Sequence, residues 1–261
     1  MPRVARRFPG RSIYHVGNTL RPGVPDMDAD DRDRFATLLG RALGRYPRVC
    51  AGRQMGVIHL LAWVVLPRSW RLLLMPDDGG ELSDLMRWLT MRHVQDWNGA
   101  RGNTGGGSIY RGRFKAFPVE PNGGFPHMIA RHMERSPVGE GLAPQPESWD
   151  ASSARGRDRA WTAACACGGN RPHALATDAW PGERSLSPST YRLLLDAPQP
   201  REEFERCQIC VERSRPLGSP DWTMRVAEEL NLTHTLRSRG RPKANARASS
   251  LQQEFERPPN G

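Results

Sequence analysis

Two hydrophobic rhythms take turns along the first half of the chain. Ser12–Asn18 (SIYHVGN) is partly β-branched and aromatic, follows Pro9-Gly10, and predicts a strand. Asp31–Tyr46 sets Phe35, Leu38, Leu39, Ala42 and Leu43 on one stripe, the spacing of an amphipathic helix. Val57–Leu66 is a dense Val/Ile/Leu run that Pro67-Arg68-Ser69 turns back into Trp70–Met75, which predicts two strands paired as a hairpin. Leu82–Trp97 returns to helical spacing through Leu82, Leu85, Met86, Leu89 and Trp97. Phe114–Glu120 (FKAFPVE) predicts an edge strand, because Pro118 has no N–H for a ladder. Pro126–Arg135 predicts a third helix, ended by Ser136-Pro137. That order suits an α+β architecture with helices packed on an antiparallel sheet.

Beyond Trp149 the rhythm fades. Asp150–Pro188 is rich in Ala, Gly, Ser, Arg and Pro and reads as a connector. Helical spacing resumes at Pro200–Arg213, with Phe204, Cys207 and Val211 on one face. Ser219-Pro220 offers an N-cap and a first-turn proline for a helix to about Leu230, burying Trp222, Val226 and Leu230. The predicted divisions are 1–149 as the main domain, 150–199 as a largely irregular connector, 200–243 as a small helical C-terminal region with a basic arm, and 244–261 as a disordered tail.

Composition narrows the partner. Across 261 residues, 38 Lys+Arg against 28 Asp+Glu give a net charge of +10, which favours a polyanion because each cation placed on a phosphate releases condensed counterions. Five cysteines, an odd number, argue for a reducing compartment. The basic start MPRVARRFPGR lacks an apolar run after it, and Val57–Pro67 is about half a membrane span, so a soluble, cytoplasmic protein is expected without a membrane partner.

Six collinear stretches carry a more specific signal. Ala62–Leu74 reads AWVVLPRSWRLLL, Leu85–Trp97 reads LMRWLTMRHVQDW, and Tyr110–Glu120 reads YRGRFKAFPVE. Arg131–Val138 reads RHMERSPV, and near the end come RPLGSPDW at Arg215–Trp222 and LRSRGRPK at Leu236–Lys243. Together these resemble the REP-associated tyrosine transposases, a branch of the single-tyrosine HUH-type transposases. There the corresponding motifs are A-[YW]-x-L-M-P-N-H-x-H, [YW]-Q-G-R-F-K-S-x-P-V-E, R-Y-[IV]-x-x-N-P-[VL] and a C-terminal L-R-x-R-G-R-P-[RK]. The resemblance implies a ferredoxin-like antiparallel sheet with packed helices, recognition of folded single-stranded DNA hairpins, and nicking through a tyrosine. Two histidines and an asparagine or glutamine would hold Mg²⁺ or Mn²⁺ on the scissile phosphate.

Carried across residue by residue, the chemical positions are substituted. The histidine positions hold Ser69 and Arg71, the nucleophile position holds His132, and the amide ligand is Ser136. A permanent cation at a ligand position repels a divalent metal, and Arg71 could take the phosphate instead. No other His-x-His occurs, and Tyr14, Tyr46, Tyr110 and Tyr191 lie outside the nucleophile's helix. His132 reads either as a phosphohistidine nucleophile or as a neutral replacement; without an activating partner the second is favoured. Arg53–Leu61 reads as an insertion that could perturb the sheet.

Three basic or sulfur-bearing features complete the inventory. Arg111, Arg113 and Lys115 alternate with Gly112 and Phe114, so three cations could face one phosphate backbone, or simply solvent. Arg239-Gly240-Arg241-Pro242 equals an AT-hook core, and Arg237 and Lys243 extend it; a plain basic tail is the other reading. Cys165-x-Cys167 and Cys207-x-x-Cys210 suggest zinc, but Cys207 lies on an apolar helix face where cysteine is a small hydrophobe. The expectation is a transposase-type DNA-binding protein without intact cleavage chemistry or cofactor. An active transposase, with Mg²⁺ or Mn²⁺ held elsewhere, is the alternative. Oligomeric state and the hairpin recognised stay open.

Overall fold

Six strands and seven α-helices are present in a computed structural model that describes residues 9, 12–45, 48–50, 53–55, 57–77, 79–103, 105–156, 180 and 186–237. In chain order they are β1 (Ile13–Thr19), α1 (Ala29–Leu43), β2 (Arg48–Cys50), β3 (Arg53–Met55), β4 (Ile58–Val65), β5 (Ser69–Pro76), α2 (Gly79–Ala100) and β6 (Lys115–Val119). Five helices follow: α3 (Phe125–Glu134), α4 (Ser136–Gly139), α5 (Pro188–Asp196), α6 (Arg201–Arg213) and α7 (Pro220–Glu229). The main sheet runs β4-β5-β1-β6, every neighbour antiparallel. With α1 and α2 as crossovers, this is the expected ferredoxin-like α+β arrangement. β6 lies at the edge, as Pro118 requires.

Strand alternation divides the core in two. Tyr14, Val16, Trp70, Leu72 and Leu74 face α1 and α2, meeting Phe35, Leu39, Leu85 and Leu89. Ile13, Leu73, Phe117 and Val119 face the other way, against Ile129 and Met133 of α3, Tyr191 and Leu195 of α5, and Cys207 of α6. Each fully buried side chain of this size stabilises by about 1.5–3 kcal/mol, so losing either layer would exceed the whole margin of stability. Burial of Trp70 creates a polar obligation, since its indole N–H is cut off from water. Nε1 donates to the Tyr110 hydroxyl at 2.9 Å, and that hydroxyl shares a hydrogen bond with His93 Nδ1 at 2.5 Å. Burial in turn pushes the His93 pKa down to about 4.

Local chemistry fixes the first crossover. Asp28 accepts from the Asp31 N–H at 2.8 Å while the Asp31 carboxylate accepts from the Asp28 N–H at 3.3 Å, a reciprocal cap on α1. Arg101, following α2, adds a two-pronged pair to Asp31 at 3.1 and 2.6 Å and stacks on Trp97.

Several expectations shift. The insertion begins in a short β2–β3 hairpin, and the register of β4 against β5 slips between Leu60 and Ala62. That bulge turns both Leu61 and Ala62 to the α3 side and leaves the sheet order intact. Ser136-Pro137 ends α3 but starts α4 at once, proline being tolerated in a first turn. The segment read as irregular contains α5, capped by Ser187 and buried through Tyr191 and Leu195. Its residues Ser152 and Ser153 also bind the β4 backbone. Helix α7 buries Thr223 and Ala227 rather than Trp222, Val226 and Leu230, which are half-buried. The expected tail 244–261, most of the connector, and Cys165 and Cys167 lie outside the described residues. Among the described residues no helix is long and apolar enough to cross a membrane.

Candidate functional site

Because Trp70 and Leu72 face α1 and α2, the residue between them must face α3. Arg71 therefore crosses the sheet surface opposite Gly17, its register partner on β1. Glycine is needed at that crossing. A Cβ on Gly17 would meet the Trp70 carbonyl oxygen at 3.0 Å, with Arg71 Cγ and His15 Cε1 both at 3.6 Å.

Helix α3 and the first residue of α4 bring up the opposite wall. Arg71 Nη1 donates to Ser136 Oγ at 2.8 Å, and Ser136 Oγ donates to the His132 carbonyl at 2.9 Å. The His132 ring lies 3.3 Å from Gln199, with Nδ1–H donating to Oε1, while Gln199 Nε2 donates to the Met128 carbonyl at 3.2 Å. That network leaves Nε2 as the unprotonated ring nitrogen. Burial, then the Arg71 charge, pushes the His132 pKa down to about 4, so the ring is neutral at pH 7. His15 is fully enclosed nearby, stacked on Phe117 at 4.6 Å with neither ring nitrogen hydrogen-bonded among the described residues. Its pKa is lowered by burial, then by Arg71 and His132. Arg71 feels burial as well, partly offset by the carboxylate of Glu140, and a guanidinium stays charged under such a shift.

These groups open into a cavity of about 440 Å³ between α3, α4, the 198–199 segment and α6. Phe204 forms part of its wall, 45% exposed, its ring 5.1 Å from that of His132. Gln208 and Glu212 line the α6 side, linked by a 3.3 Å hydrogen bond. At positions 71, 132 and 136 the donor set does not fit a hard divalent cation: one neutral imidazole and one hydroxyl accompany a guanidinium already bonded to that hydroxyl. Among the described residues, no group of three His, Cys, Asp or Glu is placed to hold a metal.

Of the four positions that the motif resemblance singles out, Arg71, His132 and Ser136 meet and Ser69 does not. Ser69 shares Arg71's strand face but closes the β4–β5 turn, exchanging backbone bonds with Leu66 and standing outside the cavity lining. Arg111 and Arg113 are exposed in the bend before β6, without side-chain partners among the described residues. Lys115 is exposed too, but its Nζ donates to the Glu212 carbonyl at 3.0 Å, so it is tied to the end of α6. Arg237 is exposed and Arg213 donates to its carbonyl at 2.7 Å; Arg239, Arg241 and Lys243 lie outside the described residues. Cys207 and Cys210 are buried, and desolvation pushes their thiols up to about 12 and 11. Gln199, Gln208 and His15 carry no sequence signal of their own, and Phe204 reads from the sequence only as part of the apolar face of its helix.

No protein-family model matches the chain, and no curated protein matches it. Among solved structures it is similar to that of a REP-associated tyrosine transposase bound to a REP hairpin. The identity is 17% and the TM-score 0.48, over 72% of this chain and 100% of that one. The likeness is a distant one of architecture.

Proposed function

We propose that the chain is a DNA-binding protein of the transposase type, which holds a DNA hairpin without cutting it. One observation carries the reading. Position 71 of one motif and positions 132 and 136 of another converge on one pocket, with Arg71 and Ser136 joined across 65 residues of sequence at 2.8 Å. That convergence supports the motif resemblance, because two segments so far apart in sequence need not have met at these positions. The residue types then set the chemistry. Arg71 offers a fixed charge and planar donors to a phosphate oxygen, while His132, held through Nδ1 by Gln199, brings no phenolic hydroxyl for the tyrosine-mediated cut that the resemblance implies.

Affinity in this reading comes from the basic surface. Arg111 and Arg113, Lys115, and the arm Arg237, Arg239, Arg241 and Lys243 take the phosphate backbone, consistent with a net charge of +10. No cofactor is part of it, and a cytoplasmic site of action follows from the DNA partner. The test is direct. Purified protein is mixed with labelled hairpin, scrambled single-stranded and duplex DNA, with and without Mn²⁺. Hairpin-selective binding without nicking is expected, with a log–log salt slope of about −4 if roughly six phosphates on single-stranded DNA are contacted. Nicking, or a protein–DNA adduct that survives denaturation, would refute the loss of cleavage. Equal, weak retention of all three DNAs would refute hairpin recognition.

A further inference from the structure

We propose that the cavity beside Arg71 seats one unpaired nucleotide of the bound strand, its base against Phe204 and its phosphate on Arg71. This rests on the DNA-binding reading above and names what enters the pocket. Size is the first argument: about 440 Å³ lies within the roughly 300–1,000 Å³ of small-ligand sites, room for one nucleotide.

The walls supply the rest. Phe204 presents a half-exposed aromatic ring at the cavity wall, on a helix whose buried face lies a turn away at Cys207. The ring is braced by His132, which Gln199 holds in place. A base within a duplex has both faces covered and its pairing edge occupied, so only an unpaired base can lie on Phe204. Its phosphate has a cation at hand: beyond the single bond from Nη1 to Ser136, the Arg71 guanidinium makes no hydrogen bond among the described residues. Both amide ends of Gln199 are used internally, by His132 and the Met128 carbonyl, so it positions the ring rather than reading a base. Gln208 is different. Its Nε2 donates to Glu212, which leaves Oε1 as an acceptor on the cavity wall for a base amino or imino group.

The experiment uses the full chain and fluorescein-labelled hairpins, one blunt and one with an oligo(dT) flank on its 5′ or 3′ side. A single abasic position is moved along the flank. The proposal expects one flank to tighten binding and one abasic position to weaken it by roughly 5- to 150-fold, the range for losing a single base–aromatic stack. Phe204→Leu should weaken the flanked hairpin to a similar degree, and Phe204→Tyr should restore it. Phe204→Leu and the critical abasic site together should cost no more than either alone, since both remove the same contact. Equal binding of blunt and flanked hairpins, or fully additive losses in that cycle, would overturn the nucleotide site while leaving DNA binding in place. No salt-sensitive binding to any of these DNAs would overturn the DNA-binding reading itself. Unchanged thermal unfolding of Phe204→Leu separates a lost contact from a lost fold.

Discussion

Acid should unfold this protein early, and the buried imidazoles set the slope. His93 and His132 are 2% and 6% exposed, and both titrate near pH 4 in the folded chain against 6.5 when unfolded. A depressed imidazole pKa means that the unfolded chain binds protons first. The stabilising contribution is therefore complete above pH 6.5 and drains away as pH falls toward 4. Between those values each ring removes about 1.4 kcal/mol per pH unit. From pH 7 to pH 5 the two together remove about 4 kcal/mol, a large part of the roughly 5–15 kcal/mol that holds a domain folded. His15 acts in the same direction, while Glu147, whose carboxyl pKa is raised by burial, opposes it toward the lower end. Urea unfolding at half-unit steps from pH 7 to pH 4.5 would measure the slope. His132→Asn should flatten it by about 1.4 kcal/mol per unit, whatever its offset at pH 7. A His132→Asn slope equal to that of the unsubstituted protein would show that the ring is not held neutral, and the account of the pocket would fall with it.

Three further outcomes follow from the same geometry. Tyr110→Phe should cost about 2–4 kcal/mol in urea unfolding at unchanged m-value, because the Trp70 N–H and His93 Nδ1 both lose their partner inside the core; a loss below about 0.5 kcal/mol would mean that water replaces the hydroxyl. Asp31→Ala removes half of the α1 cap together with the Arg101 pair, and its unfolding free energy should drop by about 1–3 kcal/mol, with most of the loss surviving high salt because Asp31 is buried. The Cys207 and Cys210 thiols, pushed up to about 12 and 11, should resist a disulfide reagent at pH 8 until denaturant is added. If the double variant Cys207→Ala/Cys210→Ala lowers the number of thiols that react in the native state, that burial is wrong.

How far the sequence could be read depended on whether one element or two decided the matter. The stripe Phe35, Leu38, Leu39 and Ala42 needs only one helix and one sheet face, and it lies where its spacing puts it. Pro188–Asp196 has no such stripe. Tyr191 and Leu195 are buried while Leu193 between them is 72% exposed, so the apolar residues point both ways and the pattern looked irregular. The site was legible to the same extent. The motif resemblance names Ser69 and Arg71 together, but only the lie of α3 and α4 across the sheet decides that Arg71 is covered and Ser69 is not. Phe204 was assigned to a helix face correctly in direction, yet it stands at the margin of that face, where the neighbour is a cavity rather than the core.

The segment after α6 returns to the outer strand of the sheet. Leu217 lies alongside Val119 in parallel, donates to the Pro118 carbonyl at 3.0 Å and accepts from the Glu120 N–H at 2.8 Å. It blunts a strand whose open side would otherwise be a template for a second chain. A gene product shortened before this point would lose that guard and the cover of Phe117 and Leu73 at one stroke. Such a fragment would offer its copies an open edge to pair with, so the chain after β6 guards the sheet against self-association.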